Sequence, residues 1–299
     1  MNEVKLEEYQ VVGNIHTVEL RVNDIVTEPR EQNPNHKYLS CLSHVKSNTG
    51  EIISKCRINV SNYGDGEILS YSEFKRVTDE ITNLAGIEKY SFSRIDFKFD
   101  SQDGKDFEPY LKINKLITLL FTEVFTIKSK NKVETANLIT GDIHSIWVMN
   151  NDVEIQFYDK TNQTEGEREC ARYELRRKRL SDYDPSMLCS YWSKKFDKLP
   201  GYFEKLQRNV NDELIEVYRR DKDKLPCKFK NHNDFALLHQ TVIFTHSQLV
   251  DLFERMGIEN ANTAARNFKQ RYRIEYFSSK DIESFLVKYK EGLEAYFNN

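Results

Sequence analysis

No run of apolar residues in the sequence approaches the roughly 20 that a helix needs to cross a bilayer, so no membrane association is expected. The first residues, Met1-Asn2-Glu3-Val4-Lys5, lack the apolar core of a secretory leader, and the expected compartment is the cytoplasm. The five cysteines (Cys41, Cys56, Cys170, Cys189, Cys227) are odd in number and scattered, with no CxxC pair. That argues against a disulfide framework or zinc site and for reduced, mostly structural thiols. The seven histidines include no His-x-His pair, so a two-histidine metal cradle is missing. Global positive charge is missing too. With a formal net charge of -3, any nucleic-acid contact must come from local patches. No internal repeat or low-complexity tract is evident.

What the chain does have is length, charge and alternation. Its 299 residues suit one large or two modest domains, and 39% apolar with 30% charged residues reads as a soluble protein with broad solvated surfaces. Three segments alternate with the period of two that marks a strand burying one face. In Val153–Lys160, Ile155 and Phe157 face a core, while Glu154, Gln156, Tyr158 and Lys160 share the other side. In Arg94–Asp100, Ile95, Phe97 and Phe99 are buried and Arg94, Asp96, Lys98 and Asp100 presented. In Arg172–Arg176, Tyr173 and Leu175 are buried and Arg172, Glu174 and Arg176 presented. In one sheet these strands form a single charged platform carrying Tyr158, Asp96 and Glu174.

Taken in order, residues 9–21 are β-rich and partly alternating, and a Pro/Asn/Glu-rich loop covers 28–34. Two strands, 36–45 and 51–60, flank the turn Ser47-Asn48-Thr49-Gly50. Ser70-x-x-Glu73 opens a helix with Phe74, Val77, Ile81 and Leu84 as its buried stripe and Gly86 as its stop. A second helix starts near Pro109, with Leu116, Ile117, Leu120 and Val124 apolar. Segments 133–140, 143–149 and the Tyr158 strand, separated by Gly141-Asp142 and Asn150-Asn151-Asp152, read as an antiparallel meander. A polar loop spans 161–169, and the Arg172 strand closes the sheet.

From Ser181 the strand signals fade, and the boundary is expected near 180–200: a sheet domain at 1–180 and a helical region at 181–299. Within 245–276, Thr245 or Ser247 caps a helix with Leu249, Leu252 and Phe253 inward, and Gly257-Ile258 turns the chain. Asn262 then caps a second helix with Ala265, Phe268 and Tyr272, and Arg266, Lys269, Gln270, Arg271 and Arg273 lie around its outer surface. Helix, Gly turn and basic helix is the order of a helix-turn-helix, whose second helix enters a major groove. Two amphipathic helices with a solvated basic face would look the same. The expected fold class is α+β, with a large, mainly antiparallel sheet, helices on one face, and a helical C-terminal region.

Carboxylates on neighbouring strands suit Mg²⁺ or Mn²⁺, hard cations that take oxygen ligands and polarise a phosphodiester. Beside such a pair, the Tyr158 hydroxyl could attack phosphorus and form a phosphotyrosine that preserves the energy of the broken bond. Lys160, Arg94 and Arg172 would stabilise the transition state, because a free tyrosine ionises only near pH ~10 and needs a cationic setting. Plainer roles suit the same residues. A half-exposed tyrosine commonly packs with a wet hydroxyl, and Asp96 and Glu174 flanked by arginines commonly form cross-strand ion pairs. The run Arg176-Arg177-Lys178-Arg179 is a solvated strand end or a DNA-facing phosphate patch.

These motifs resemble the Rep-trans family, the rolling-circle replication initiators of small Gram-positive plasmids and their relaxase relatives in conjugative elements. Arg94, Ile95, Asp96 and Asp100 match its Arg-(Leu/Ile)-Asp-x-x-x-Asp strand, and Ile155, Tyr158, Asp159 and Lys160 match Ile-Arg-Ile-Tyr-(Asn/Asp)-Lys. Arg172, Glu174, Lys178 and Arg179 match Arg-Val-Glu followed by basic residues, and Val12-Gly13-Asn14 matches an early Val-Gly-Asn. Gln156 stands where the family has arginine, and Arg176 where some members have a second acidic residue. The likeness covers residues 9–180. It implies Tyr158 as nicking nucleophile, Asp96, Glu174 and Asp100 as metal ligands, and a 5′-phosphotyrosine at the hairpin of a plasmid origin. It also implies priming from the free 3′-hydroxyl, a closing transesterification, a homodimer and a helicase partner. A relaxase of a mobile element is the close alternative, and a non-catalytic DNA-binding regulator the alternative from another class.

Overall fold

The computed structural model describes residues 10–26, 38–60, 68, 70–102, 107–127, 132–136, 143–159, 170–205, 246–255, 257–272 and 279–299. Eight strands form one sheet: β1 (Gln10–Val22), β2 (Leu39–Lys46), β3 (Ile52–Asn59), β4 (Tyr90–Gln102), β5 (Lys132–Ala136), β6 (Ile143–Met149), β7 (Val153–Asp159) and β8 (Cys170–Lys178). Their order is β2-β3-β1-β4-β8-β7-β6-β5, and every pairing is antiparallel. The meander of β5, β6 and β7 is as expected. The strand β8, however, does not close the sheet at an edge. It lies at the centre, against β4, and joins the two halves.

Six helices are described: α1 (Tyr71–Leu84), α2 (Phe107–Val124), α3 (Met187–Phe196), α4 (His246–Arg255), α5 (Ala261–Tyr272) and α6 (Ser279–Asn298). Ser70 caps α1 by accepting from the Glu73 amide at 3.2 Å. The helix ends on Gly86, in the left-handed region at φ +70, with Gly86 N–H bonded to Asn83 and Ile87 N–H to Thr82. Phe74, Val77 and Ile81 are buried as expected, but Leu84 is 53% exposed, and Thr78 and Thr82 take buried positions. Pro109 falls in the first turn of α2, where its missing N–H removes no helical bond.

The chain divides into two compact units, residues 1–197 with 286–299, and residues 198–285. The break after Asp197 lies within the expected 180–200, so α3 groups with the sheet rather than with the helical region at 181–299, and the end of α6 returns to the sheet unit. In the first unit the described helices α2, α3 and the end of α6 pack on the apolar face of the sheet. Tyr289 of α6 lies edge-on to Phe99 at 4.6 Å and against Tyr173 at 5.3 Å, and Tyr296 meets Phe97 at 5.4 Å. Phe121 of α2 packs on Trp192 and Phe196 of α3. Ile95, Phe97, Phe99, Ile155, Phe157, Tyr173 and Leu175 are all fully buried on that face.

In the second unit, α4 and α5 pack against each other, and Phe253, Ala261 and Ala265 are buried. The turn uses Gly257 at φ +70, with Gly257 N–H to Glu254 and Ile258 N–H to Phe253. Asn262 does not cap α5. It lies one residue inside the helix and its Oδ1 pairs with His246 Nε2 at 2.9 Å. The expected loop at 28–34, the turn Gly141-Asp142 and the loop 161–169 lie outside the described residues.

One glycine is required by space. A Cβ on Gly13 would stand 2.8 Å from Phe97 Cε1 and 3.1 Å from Phe99 Cε1, whereas one on Gly292, in α6, would meet Phe99 at an ordinary 3.4 Å. Gly13→Ala should therefore lower stability by about 1–3 kcal/mol through overpacking. Gly292→Ala should raise it by about 0.5–1 kcal/mol through helix propensity. Urea unfolding of the two variants checks this; equal effects would show that Phe97 and Phe99 yield freely.

Candidate active site

The register of the three central strands builds the platform. Against β8, β4 places Asp96 opposite Arg176, Lys98 opposite Glu174 and Asp100 opposite Arg172. From the other side, β7 places Glu154 opposite Arg176, Gln156 opposite Glu174 and Tyr158 opposite Arg172. Residues directly opposite share a face, so Tyr158, Asp96 and Glu174 lie together on the side away from the helices. Tyr173 has the opposite parity and is fully buried in the core.

The side chains form one ion-pair network across five strands. Arg94 grips both oxygens of Asp96, at 2.7 and 2.6 Å, and reaches Glu19 on β1 at 3.2 Å; Glu19 also receives Arg57 from β3 at 2.7 Å. Arg176 bonds Glu154 and Glu174 and stands 3.6 Å from Asp96. Lys178 reaches Glu154 at 3.2 Å. Arg172 grips both oxygens of Asp100, at 2.6 and 2.7 Å, and Lys98 bonds the same carboxylate at 2.8 Å. Tyr158 donates its hydroxyl to Glu174 Oε1 at 2.9 Å, with Arg172 at 3.9 Å from that same oxygen.

The titrations follow from burial set against these charges. Burial, and then the Glu174 charge, push the Tyr158 hydroxyl above its ordinary range, with Arg172 pulling the other way. Burial alone would raise Glu174, but Arg176 and the Tyr158 hydroxyl outweigh it and hold the carboxylate ionised below its usual range. Burial pushes Asp96 up against the pull of Arg94 and Arg176. Asp100 goes the other way: Arg172 and Lys98 overcome burial and lower it to about 2. These opposed shifts fix Tyr158 as the neutral donor and Glu174 as the ionised acceptor of their hydrogen bond.

His16 belongs to this neighbourhood and was not singled out from the sequence. The β1–β4 register shifts between Ile15 and Thr17, a bulge that places His16 beside Thr17 over the platform. Thr17 donates to Asn59 Oδ1 at 3.0 Å, so its oxygen accepts from His16 Nδ1 at 2.6 Å and the ring keeps its lone pair on Nε2. Burial, then Arg172, lower His16 to about 4, so the imidazole is neutral at physiological pH. The signal was present: apolar residues fall on odd positions at Ile15 and on even ones at Val18, Leu20 and Val22, a change of phase that requires an extra residue.

The carboxylates expected to hold Mg²⁺ or Mn²⁺ do not fit one ion as they stand. Asp96 and Asp100 are four residues apart on an extended strand, about 13 Å, and cannot share a cation. Both oxygens of Asp96, Asp100 and Glu174 already accept from Arg94, Arg172 and Lys98, or Tyr158 and Arg176 respectively. Among the described residues, no three His, Cys, Asp or Glu side chains converge on a point that a metal ion could occupy.

The basic run at the end of β8 separates. Arg176 and Lys178 lie on the platform, engaged with carboxylates. Arg177 points to the helix face, away from the platform, its guanidinium 4.3 Å over the Tyr191 ring of α3 and bonded to the Asp152 carbonyl. Arg179 is exposed, at φ 56 just past the strand. Arg266 is exposed on α5, which also contains Lys269 and Arg271; the side chains of those two, and Lys160 and Arg273 altogether, lie outside the described residues.

No protein-family model matches the chain, and no curated protein matches it. Among solved structures it is similar to a rolling circle replication initiator protein from Geobacillus stearothermophilus, at 16% identity and a TM-score of 0.31, over 56% of this chain and 74% of that one.

Asp100 sets a pH dependence. Its folded value of about 2 lies below the ordinary 3.8, so its contribution is fully present above 3.8 and is lost as pH falls through 2. The wild type should lose about 2 kcal/mol more than Asp100→Asn as pH falls from about 5 to about 2. Urea unfolding of both proteins across that window measures the difference, and parallel curves would place Asp100 outside the ion pair.

Proposed function

We propose that this chain nicks and rejoins one DNA strand at a plasmid origin to start rolling-circle replication, with Tyr158 as nucleophile and Glu174 as the group that takes its proton. The observation that carries the reading is the Tyr158 hydroxyl donating to an ionised Glu174 at 2.9 Å, with Arg172 beside both. In the forward step the Tyr158 oxygen attacks phosphorus and its proton passes to Glu174. The bond from phosphorus to the 3′ oxygen breaks, the 3′ oxygen leaves and takes a proton from water, and the 5′ phosphate stays on Tyr158. Attack by a 3′-hydroxyl reverses the step and rejoins the strand. Arg172 and Arg94 are the cations that offset charge on the five-coordinate phosphorus.

The basic helix α5 would supply the origin contacts in a helix-turn-helix with α4, and a second copy of the chain and a helicase complete the proposed assembly. A relaxase of a mobile element would use the same chemistry on a different origin. The rival from another class, a DNA-binding regulator without chemistry, is favoured by one observation: the platform carboxylates Asp96, Asp100, Glu154 and Glu174 all sit in ion pairs.

A single-stranded origin oligonucleotide with Mg²⁺ or Mn²⁺ should give a denaturant-resistant adduct on Tyr158. Tyr158→Phe removes one oxygen, so the adduct should vanish while DNA binding and stability persist. Glu174→Gln should slow adduct formation by roughly 10²–10⁴-fold, the usual worth of a general base. An adduct on another tyrosine, or full activity in the Phe variant, ends this site. Separately, replacing Arg266, Lys269 and Arg273 with Ala should weaken origin binding and reduce the slope of log affinity against log salt by up to about 3. An unchanged slope in a salt titration would make α5 a solvated face.

A further inference from the structure

Away from the platform, β2 and β3 set Cys41 directly opposite Cys56, and both are free thiols. Directly opposed residues of an antiparallel pair have Cβ atoms about 4.5–5.5 Å apart, and a disulfide needs about 3.5–4.5 Å, so closure takes a small movement. The strand that would move, β2, is an edge strand paired on one side only.

A third group makes the pair more than neighbours. Cys41 and His44 are three residues apart and would lie on opposite faces of a regular strand. The register shift between Cys41 and Ser43 inserts one residue and returns His44 to the face of Cys41. Cys41 Sγ then lies 3.8 Å from His44 Nε2, and His44 Nδ1 lies 2.9 Å from Ser54 Oγ. Ser54 gives its own proton to the Asp24 carbonyl at 2.5 Å, so it accepts from Nδ1. That leaves the lone pair of the neutral ring on Nε2, facing the Cys41 thiol. Cys56 is fully buried, and burial together with Cys41 pushes its thiol up to about 12. Cys41 is only half-buried and is the sulfur that a reagent in solution meets first.

We propose that Cys41 and Cys56 are a thiol-oxidation site for small disulfides of the glutathione class, with His44 as the base for Cys41. The Cys41 proton passes to His44 Nε2, and the thiolate attacks one sulfur of oxidised glutathione. That S–S bond breaks, and the departing glutathione thiolate takes the proton from His44. Cys56 then attacks the Cys41 sulfur, and its proton passes to the departing glutathione thiolate. The Cys41–glutathione bond breaks, and the second glutathione leaves as a thiol. Two protein thiols are oxidised and one glutathione disulfide is reduced to two thiols. The product pins the bulged edge strand to β3.

The test uses the full chain in glutathione buffers of graded oxidised-to-reduced ratio, quenched with acid, alkylated and mapped by peptide mass spectrometry. The wild type should accumulate a Cys41–Cys56 link that dithiothreitol reverses. Cys56→Ser should stop at a glutathione adduct on Cys41, and Cys41→Ser should give neither product. His44→Gln should slow the adduct several-fold in Cys56→Ser without changing its final amount. A wild type that forms no link under conditions that modify Cys41 in Cys56→Ser, or a Cys41 that reacts no faster than Cys189, overturns the assignment.

Discussion

The pairing of β4 with β8 is the contact on which the rest of the molecule depends. It joins the half-sheet β2-β3-β1-β4 to the half-sheet β8-β7-β6-β5, and among the described residues no other strand pair connects them. On the helix face it sets Phe97 against Leu175 and Phe99 against Tyr173; on the other it sets Asp96, Lys98 and Asp100 against Arg176, Glu174 and Arg172. A slip of one residue would turn the apolar set outward. A slip of two would keep the faces but bring Asp96 opposite Glu174 or Lys98 opposite an arginine. The charge alternation thus selects one register among those that the apolar pattern allows.

That selection has an energetic consequence. Asp96, Lys98, Glu154, Arg172 and Glu174 are all buried, and charges taken from water are tolerated only when paired. The network meets this condition because guanidinium groups bridge several carboxylates at once, as Arg176 does with Glu154, Glu174 and Asp96. Removing one partner leaves another buried and uncompensated. A substitution here therefore changes its neighbours as well as its own site. Tyr158 enters as one more donor to Glu174, which ties its reactivity to the balance of the whole face.

Much of this was legible in residue order. Period-two alternation placed Tyr158, Asp96 and Glu174 on one side and Tyr173 on the other, because that parity survives whatever the strand pairs with. Ser70, Gly86 and Gly257 marked helix ends through requirements local to a few residues. The run Arg176-Arg177-Lys178 divides between the two faces, since adjacency in a run says nothing about face once the run is a strand. His16 and His44 were missed for a related reason. Each reaches its partners through a bulge, and a bulge is defined against a partner strand that the sequence does not name.

By itself, the sequence determined the α+β class, the apolar and charged faces of β4, β7 and β8, and the caps of α1. Those depend on side-chain period and on backbone preferences of single residues. Only the tertiary structure decided that β8 is central, that residues 286–299 return to the sheet, and that Cys41 stands opposite Cys56. It also decided that Asp96 and Asp100 are occupied by different arginines at separate places on the strand. These depend on which distant segments pair and in what register, a choice made by the summed burial and charge matching of the whole chain.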